Sequence, residues 1–143
     1  MYRAPIHRLL VLTTLVVALE ACGPRAPSAS SSPWSGALEQ IRSAVVAAGG
    51  YSPERVEVTA SPTLLRIAIG DASLAQADQL ARENAAGAIV SAAETVLPQQ
   101  EVFRSIQVIS VAIMHPGTAA ETHTEDVLEF RKGPSKRFAH HIT

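Results

Sequence analysis

The sequence predicts an α+β fold: a two-layer α/β sandwich whose four-stranded, mostly antiparallel sheet carries two helices on one face, in the order αββαββ. Three observations lead there. Apolar residues recur at helical spacing in two stretches, alternate with polar residues in three short ones, and run almost unbroken through residues 106–114. The chain has 143 residues, of which 47% are hydrophobic and 17% charged, a balance that suits one packed domain.

In the first helix Leu38, Ile41, Val45 and Ala48 share one stripe, Ser35 is the candidate N-cap, and Gly49-Gly50 ends the helix. Val56 and Val58 then alternate with Glu57 and Thr59 in a half-buried strand. After the break at Ser61-Pro62, Leu65, Ile67 and Ile69 mark a second strand, so the two read as a hairpin. Gly70-Asp71 leads into a long helix with Ser73 and Gln76 as a capping box. Its expected inner stripe is Leu74, Ala77, Ala81, Ala85, Ala88, Ile89, Ala92 and Val96. So much alanine predicts a close approach to the sheet, which would also account for Gly87 in mid-helix at a cost of ~1 kcal/mol.

Residues 106–114 are apolar on both faces, as a central strand requires. A last strand runs over residues 127–131, with Leu128 and Phe130 inward and Glu129 and Arg131 outward. Trp34 and Tyr51 are expected to pack at the edge of the core.

The N-terminal residues carry a different signal. Arg3, His7 and Arg8 precede an apolar run, residues 9–19, that is too short for a membrane-spanning helix of roughly 20 residues. Leu19-Glu20-Ala21-Cys22 follows, and resembles the lipobox of bacterial lipoprotein precursors. Glu20 departs from that pattern, since its slot usually holds a small or neutral residue. The resemblance implies that residues 1–21 are a signal peptide and that Cys22 becomes the lipidated terminus, its thiol taking diacylglycerol and its amine a further acyl chain such as palmitate. Such a terminus is an effectively permanent anchor, at ~0.8 kcal/mol per buried CH₂. It also implies a cell-envelope location: in a Gram-negative cell Gly23, in place of aspartate, points to the outer membrane, facing the periplasm. Cys22 is the chain's single cysteine, which excludes an internal disulfide and a cysteine-rich metal site.

Residues 22–33, the lipidated cysteine and a stretch rich in Pro and Ser, read as a tether. The domain is expected over residues 34–132, followed by a loose basic tail over 133–143. Losing Arg3, Arg8 and Glu20 would move the formal charge from −1 to about −2. That balance, with only 4% aromatic residues, argues against nucleic acid as a partner.

No G-x-S-x-G, H-E-x-x-H, S-x-x-K or phosphate-cradling glycine loop is present, and no cofactor is implied. Two clusters stand out. His115, His123 and Glu125 would meet if the last two strands form a hairpin, and two imidazoles with a carboxylate can ligate zinc. The plainer reading is a solvated polar corner. Arg131, Lys132, Lys136 and Arg137 form a basic cluster with no acidic residue after Arg131, while the remainder of the mature chain holds 6 basic against 12 acidic residues. That asymmetry suits contact with anionic headgroups or an acidic partner; the plainer reading is a solubilising tail. Glu121, Glu125, Asp126 and Glu129 read as a charged outer face rather than catalytic carboxylates.

The function these observations favour is a membrane-anchored lipoprotein. Its small non-catalytic binding or scaffold domain would serve an envelope protein complex or a lipid surface, with membrane lipid held through Cys22 and an envelope protein as a possible partner. The alternative is a small envelope hydrolase or metal-binding protein using His115, His123 and Glu125. A small-molecule carrier comes third, and would need a deep apolar pocket.

Overall fold

The computed structural model describes residues 33–115 and 125–141. The α+β expectation holds. Helix α1 spans Pro33–Gly49; strands β1 and β2 span Val56–Ala60 and Leu64–Ile69; helices α2 and α3 span Ala72–Gln76 and Gln79–Val96. Strands β3, β4 and β5 span Val108–Met114, Glu125–Lys132 and Phe138–His140. Residues 31–143 form a compact unit of their own, whose described core runs from Ala37 of α1 to Phe130 of β4; a unit with its own core can fold alone. Among the described residues no helix is long and apolar enough to cross a membrane.

The sheet has five strands rather than four, in the order β1-β2-β3-β4-β5. β1 pairs with β2, β3 with β4, and β4 with β5, all antiparallel. β2 and β3 are parallel, Leu64 opposite Val108 and Ile69 opposite Ile113, so the sheet is mixed. Parallel neighbours need a crossover connection, and α2 and α3 supply it. The fifth strand corrects the expectation of a loose tail: residues 138–140 pair with 130–132.

The register sets which residues face α1 and α3. Val56, Ile67, Val111 and Phe130 are buried on that face with Leu65, Ile69 and Ile109. Ile41 and Val45 of α1 and Ile89 and Val90 of α3 close over them, each at most 2% exposed. Each such side chain contributes roughly 1.5–3 kcal/mol by leaving water. The other face carries Glu57, Arg66, Ala68, Ser110, Ala112, Glu125 and Glu129.

α1 begins at Pro33, a residue suited to the first helical position because its missing N–H is not needed there. Ser35 therefore lies inside the helix rather than capping it, and the buried stripe is Ala37, Ile41 and Val45, with Ala48 exposed. Gly50, at φ +65, ends the helix in the left-handed conformation that glycine adopts freely. The Tyr51 ring folds over Gly49 so closely that a Cβ there would overlap it. Arg42 ties α1 to the strand that follows: its Nε donates to the carbonyls of Pro53 and Val56 at 3.1 Å, and its Nη2 to Pro53 at 2.6 Å.

The long second helix is two helices. Asp71, not Ser73, caps α2 by accepting from the Leu74 N–H at 2.8 Å, and Asp78 starts α3 by accepting from the Ala81 N–H at 2.7 Å. The break turns the buried stripe of α3 to Ala86, Ile89, Val90, Ala93 and Val96, leaving Ala81 and Ala88 exposed. Gly87 faces open space: a Cβ there would meet nothing within 4 Å. Close packing is therefore not the reason for that glycine.

Candidate functional site: a cation-rimmed trough

The β4–β5 turn is a compact hairpin connection. The Gly133 N–H donates to the Arg137 carbonyl at 2.8 Å, and the Lys136 N–H donates to the Gly133 carbonyl at 2.9 Å. Pro134 stands where a type I turn favours a fixed φ near −65°. Lys136 follows at φ 62, the only non-glycine residue in the left-handed region among those described. A position that usually takes glycine or asparagine is here filled by a lysine.

This hairpin folds beside the C-terminal end of α3. Strand alternation puts Lys132 and Phe138, which are paired across the strands, on the helix side of the sheet. Glu94 of α3 holds them there. Its Oε1 accepts from the Phe138 N–H at 2.7 Å, and its Oε2 lies 3.8 Å from Arg137 Nη2. The Glu94 side chain is only 18% exposed, so this charge-assisted hydrogen bond is partly shielded from water.

The segment between α3 and β3 forms the opposite wall. Two short 3₁₀ turns, Leu97–Gln99 and Glu101–Phe103, fold Phe103 and Ile106 into the core. Trp34 in the first turn of α1 meets Phe103 edge-on, ring centroids 5.6 Å apart at 66°. The result is an open trough of about 820 Å³. Leu97, Phe103 and Ile106, at most 8% exposed, lie beneath it, and Pro98 and Phe138 reach its surface; Arg104, Lys132, Lys136 and Arg137 stand around it with Glu94 as the one carboxylate, a net charge of +3. Lys132 Nζ sits 5.9 Å from the centre of the Phe138 ring, within range of a cation–π attraction. Neither Lys132 nor Lys136 has a carboxylate partner among the described residues, whereas Arg104 faces Glu101 at 3.3 Å on the surface.

Three of the four basic residues singled out from sequence therefore meet at one site. Arg131 does not: it lies on the opposite face of the sheet and approaches Glu129 at 3.6 Å. Leu97, Phe103 and Arg104 were not legible as residues of this site, because they come from a connection with no periodic pattern.

The other sequence cluster is arranged differently. His115 Nε2 lies 3.0 Å from Asp126 Oδ2, which Arg82 Nη1 also approaches at 3.4 Å. Glu125, one residue before Asp126, points to the other face and accepts from Arg66 Nη2 at 2.6 Å. His115 and Glu125 thus have separate partners on separate faces, and Asp126 leaves the outer charged face to join His115. His123, Glu121 and Cys22 lie outside the described residues. Among the described residues no three His, Cys, Asp or Glu side chains are grouped to hold a metal ion. Around this end a second hollow of about 400 Å³ is bordered by Glu83, Glu125, Asp126 and Glu129 together with Arg82, His140 and His141. One end of β4 is therefore rich in carboxylates and the other in cations.

Trp34 and Tyr51 both pack against the edge of the core. Burial, and after it the negative charge of Asp71, push the Tyr51 phenol above its ordinary value.

Comparison with protein-family models, with curated proteins and with solved structures finds no match to this chain.

Proposed function

We propose that the chain is an exported lipoprotein, anchored in the cell envelope by acyl groups on Cys22, and that its domain is a non-catalytic binding module for an anionic lipid surface. In a Gram-negative cell the anchor would sit in the outer membrane, facing the periplasm. The observation that carries the reading is the trough: Lys132, Lys136 and Arg137 converge around it, close to the Trp34–Phe103 pair at the start of the domain.

Two measurements test this. The mass of the mature protein from membranes should show a terminus at Cys22 bearing acyl groups, and Cys22→Ala should abolish it; a soluble, unlipidated wild type would remove the anchor from the proposal. Separately, residues 31–143 should sediment with phosphatidylglycerol vesicles and not with phosphatidylcholine vesicles, and salt should weaken the binding. At about 1 kcal/mol per cation near an anionic surface, neutralising Lys132, Lys136 and Arg137 together should lower affinity by roughly 100-fold. Binding indifferent to both salt and these substitutions refutes the surface-contact reading.

A further inference from the structure

We infer that the trough is a site for a polar ligand carrying two phosphate groups, one met by Lys132 and Lys136 on the hairpin wall and the other by Arg104 on the opposite wall. This rests on the reading of the trough as the binding face and goes beyond it, because a flat anionic surface needs neither two walls nor a particular head.

Charge sets the ligand. Arg104, Lys132, Lys136 and Arg137, less Glu94, leave +3 around one hollow of about 820 Å³. A phosphomonoester brings about −1.5 to −2 near neutral pH, so one such group leaves the hollow cationic and two on the same molecule answer it. The hollow falls within the range of small-molecule sites, roughly 300–1,000 Å³. Its surface is polar: Leu97, Phe103 and Ile106 are covered, and Pro98 and Phe138 are the apolar side chains that reach it, beside Gln107 and the charged groups. A ligand that fills it is therefore polar as well.

The cations are available. Among the described residues neither Lys132 nor Lys136 has a carboxylate partner; the first stands over the Phe138 ring and the second is set in place by a left-handed backbone. Glu94 is committed to the Phe138 N–H and Arg137. The Arg104–Glu101 pair joins side chains 80% and 82% exposed. Water screens such a pair, and a phosphate, whose oxygens a guanidinium grips in bidentate fashion, displaces the carboxylate.

Two phosphate groups on a polar frame belong equally to a lipid head and to a free sugar bisphosphate, and the test separates these sources. Fructose bisphosphate and fructose monophosphate are titrated separately into residues 31–143 by calorimetry. The bisphosphate should bind one-to-one and at least about tenfold more tightly than the monophosphate. Arg104→Ala, at an exposed position, should remove most of that preference and leave monophosphate binding near its wild-type value. Combined Lys132→Ala and Lys136→Ala should weaken both ligands by about tenfold or more with the melting temperature retained, and Arg131→Ala on the other face should change neither. Equal affinity for the two sugars overturns the inference, as does an Arg104→Ala variant that weakens both alike, or an Arg131→Ala loss equal to that of the lysine pair. Vesicles carrying phosphatidylinositol bisphosphate or phosphatidylglycerol at equal total charge then identify the source. A preference for the former assigns the site to a lipid head, and equal binding assigns it to the free sugar bisphosphate. Phosphatidylglycerol binding that persists with no preference for either bisphosphate probe refutes this inference alone, whereas loss of all binding refutes the surface reading with it.

Discussion

Lys136 offers a substitution in which stability and binding should move in opposite directions. Its φ of 62 places an L-residue in the left-handed region, at a cost of roughly 1–2 kcal/mol. Glycine removes that cost but adds unfolded-state entropy of about 0.5–1 kcal/mol, so Lys136→Gly should leave the protein about 0.5–1 kcal/mol more stable than Lys136→Ala. Both variants remove the same ammonium group from the neighbourhood of Lys132, Arg137 and Arg104, so the difference between them isolates the backbone. In a domain of this size the gain corresponds to a melting-temperature difference of roughly 2–6 °C. Thermal unfolding of residues 31–143 followed by circular dichroism measures it, with urea midpoints at unchanged slope as the check. Lys136→Asn should fall between the two, since asparagine tolerates the left-handed region better than alanine. All three variants should bind phosphatidylglycerol vesicles more weakly. Strain held at a binding position in this way is a recognised feature of functional sites. A glycine variant no more stable than the alanine variant would refute the premise that the turn imposes strain on residue 136.

Gly87 is the complementary case. Its φ lies outside the left-handed region and a Cβ would meet nothing, so Gly87→Ala should stabilise by about 0.5–1 kcal/mol through helix propensity and reduced unfolded-state freedom; destabilisation in urea would show a close neighbour at that position. Tyr51 predicts an alkaline effect. Because its phenol is raised above the ordinary value of about 10, the folded state keeps the proton longer than the unfolded chain. The associated stability is fully present below about pH 10 and is lost as pH rises through the folded value. Tyr51→Phe should therefore lose less stability than the wild type between pH 9 and 11 in urea titrations, and parallel losses would count against the buried phenol.

Periodicity alone located most of the elements. Ile41 and Val45, the alternating Leu65, Ile67 and Ile69, and residues 109–113 of the apolar run are buried because each pattern matches the geometry of its element. Gly49-Gly50 marked the end of α1 because only glycine takes a positive φ without cost. The same reasoning failed where two local signals competed. Asp71 and Asp78 captured the helix starts from Ser73, since a carboxylate reaching a free N–H two or three residues on restarts the helix wherever it falls.

Tertiary structure decided what no local pattern encodes. Residues 138–140 show no strong strand signal; they become a strand because Glu94, far away in sequence, holds the Phe138 N–H and β4 offers an edge. The basic residues that look like a tail are thereby folded against apolar side chains from a connection without periodicity. Likewise Glu125 and Asp126, adjacent in sequence, part to opposite faces and take different partners. The sequence by itself determined the α+β class, the inward-facing residues of the strands it located and the presence of a basic cluster, because burial periodicity and charge are local properties. Only the tertiary structure decided that Lys132, Lys136 and Arg137 share a trough with Phe103 while Arg131 does not, because a strand's pleat and a hairpin's turn assign neighbouring residues to different surfaces.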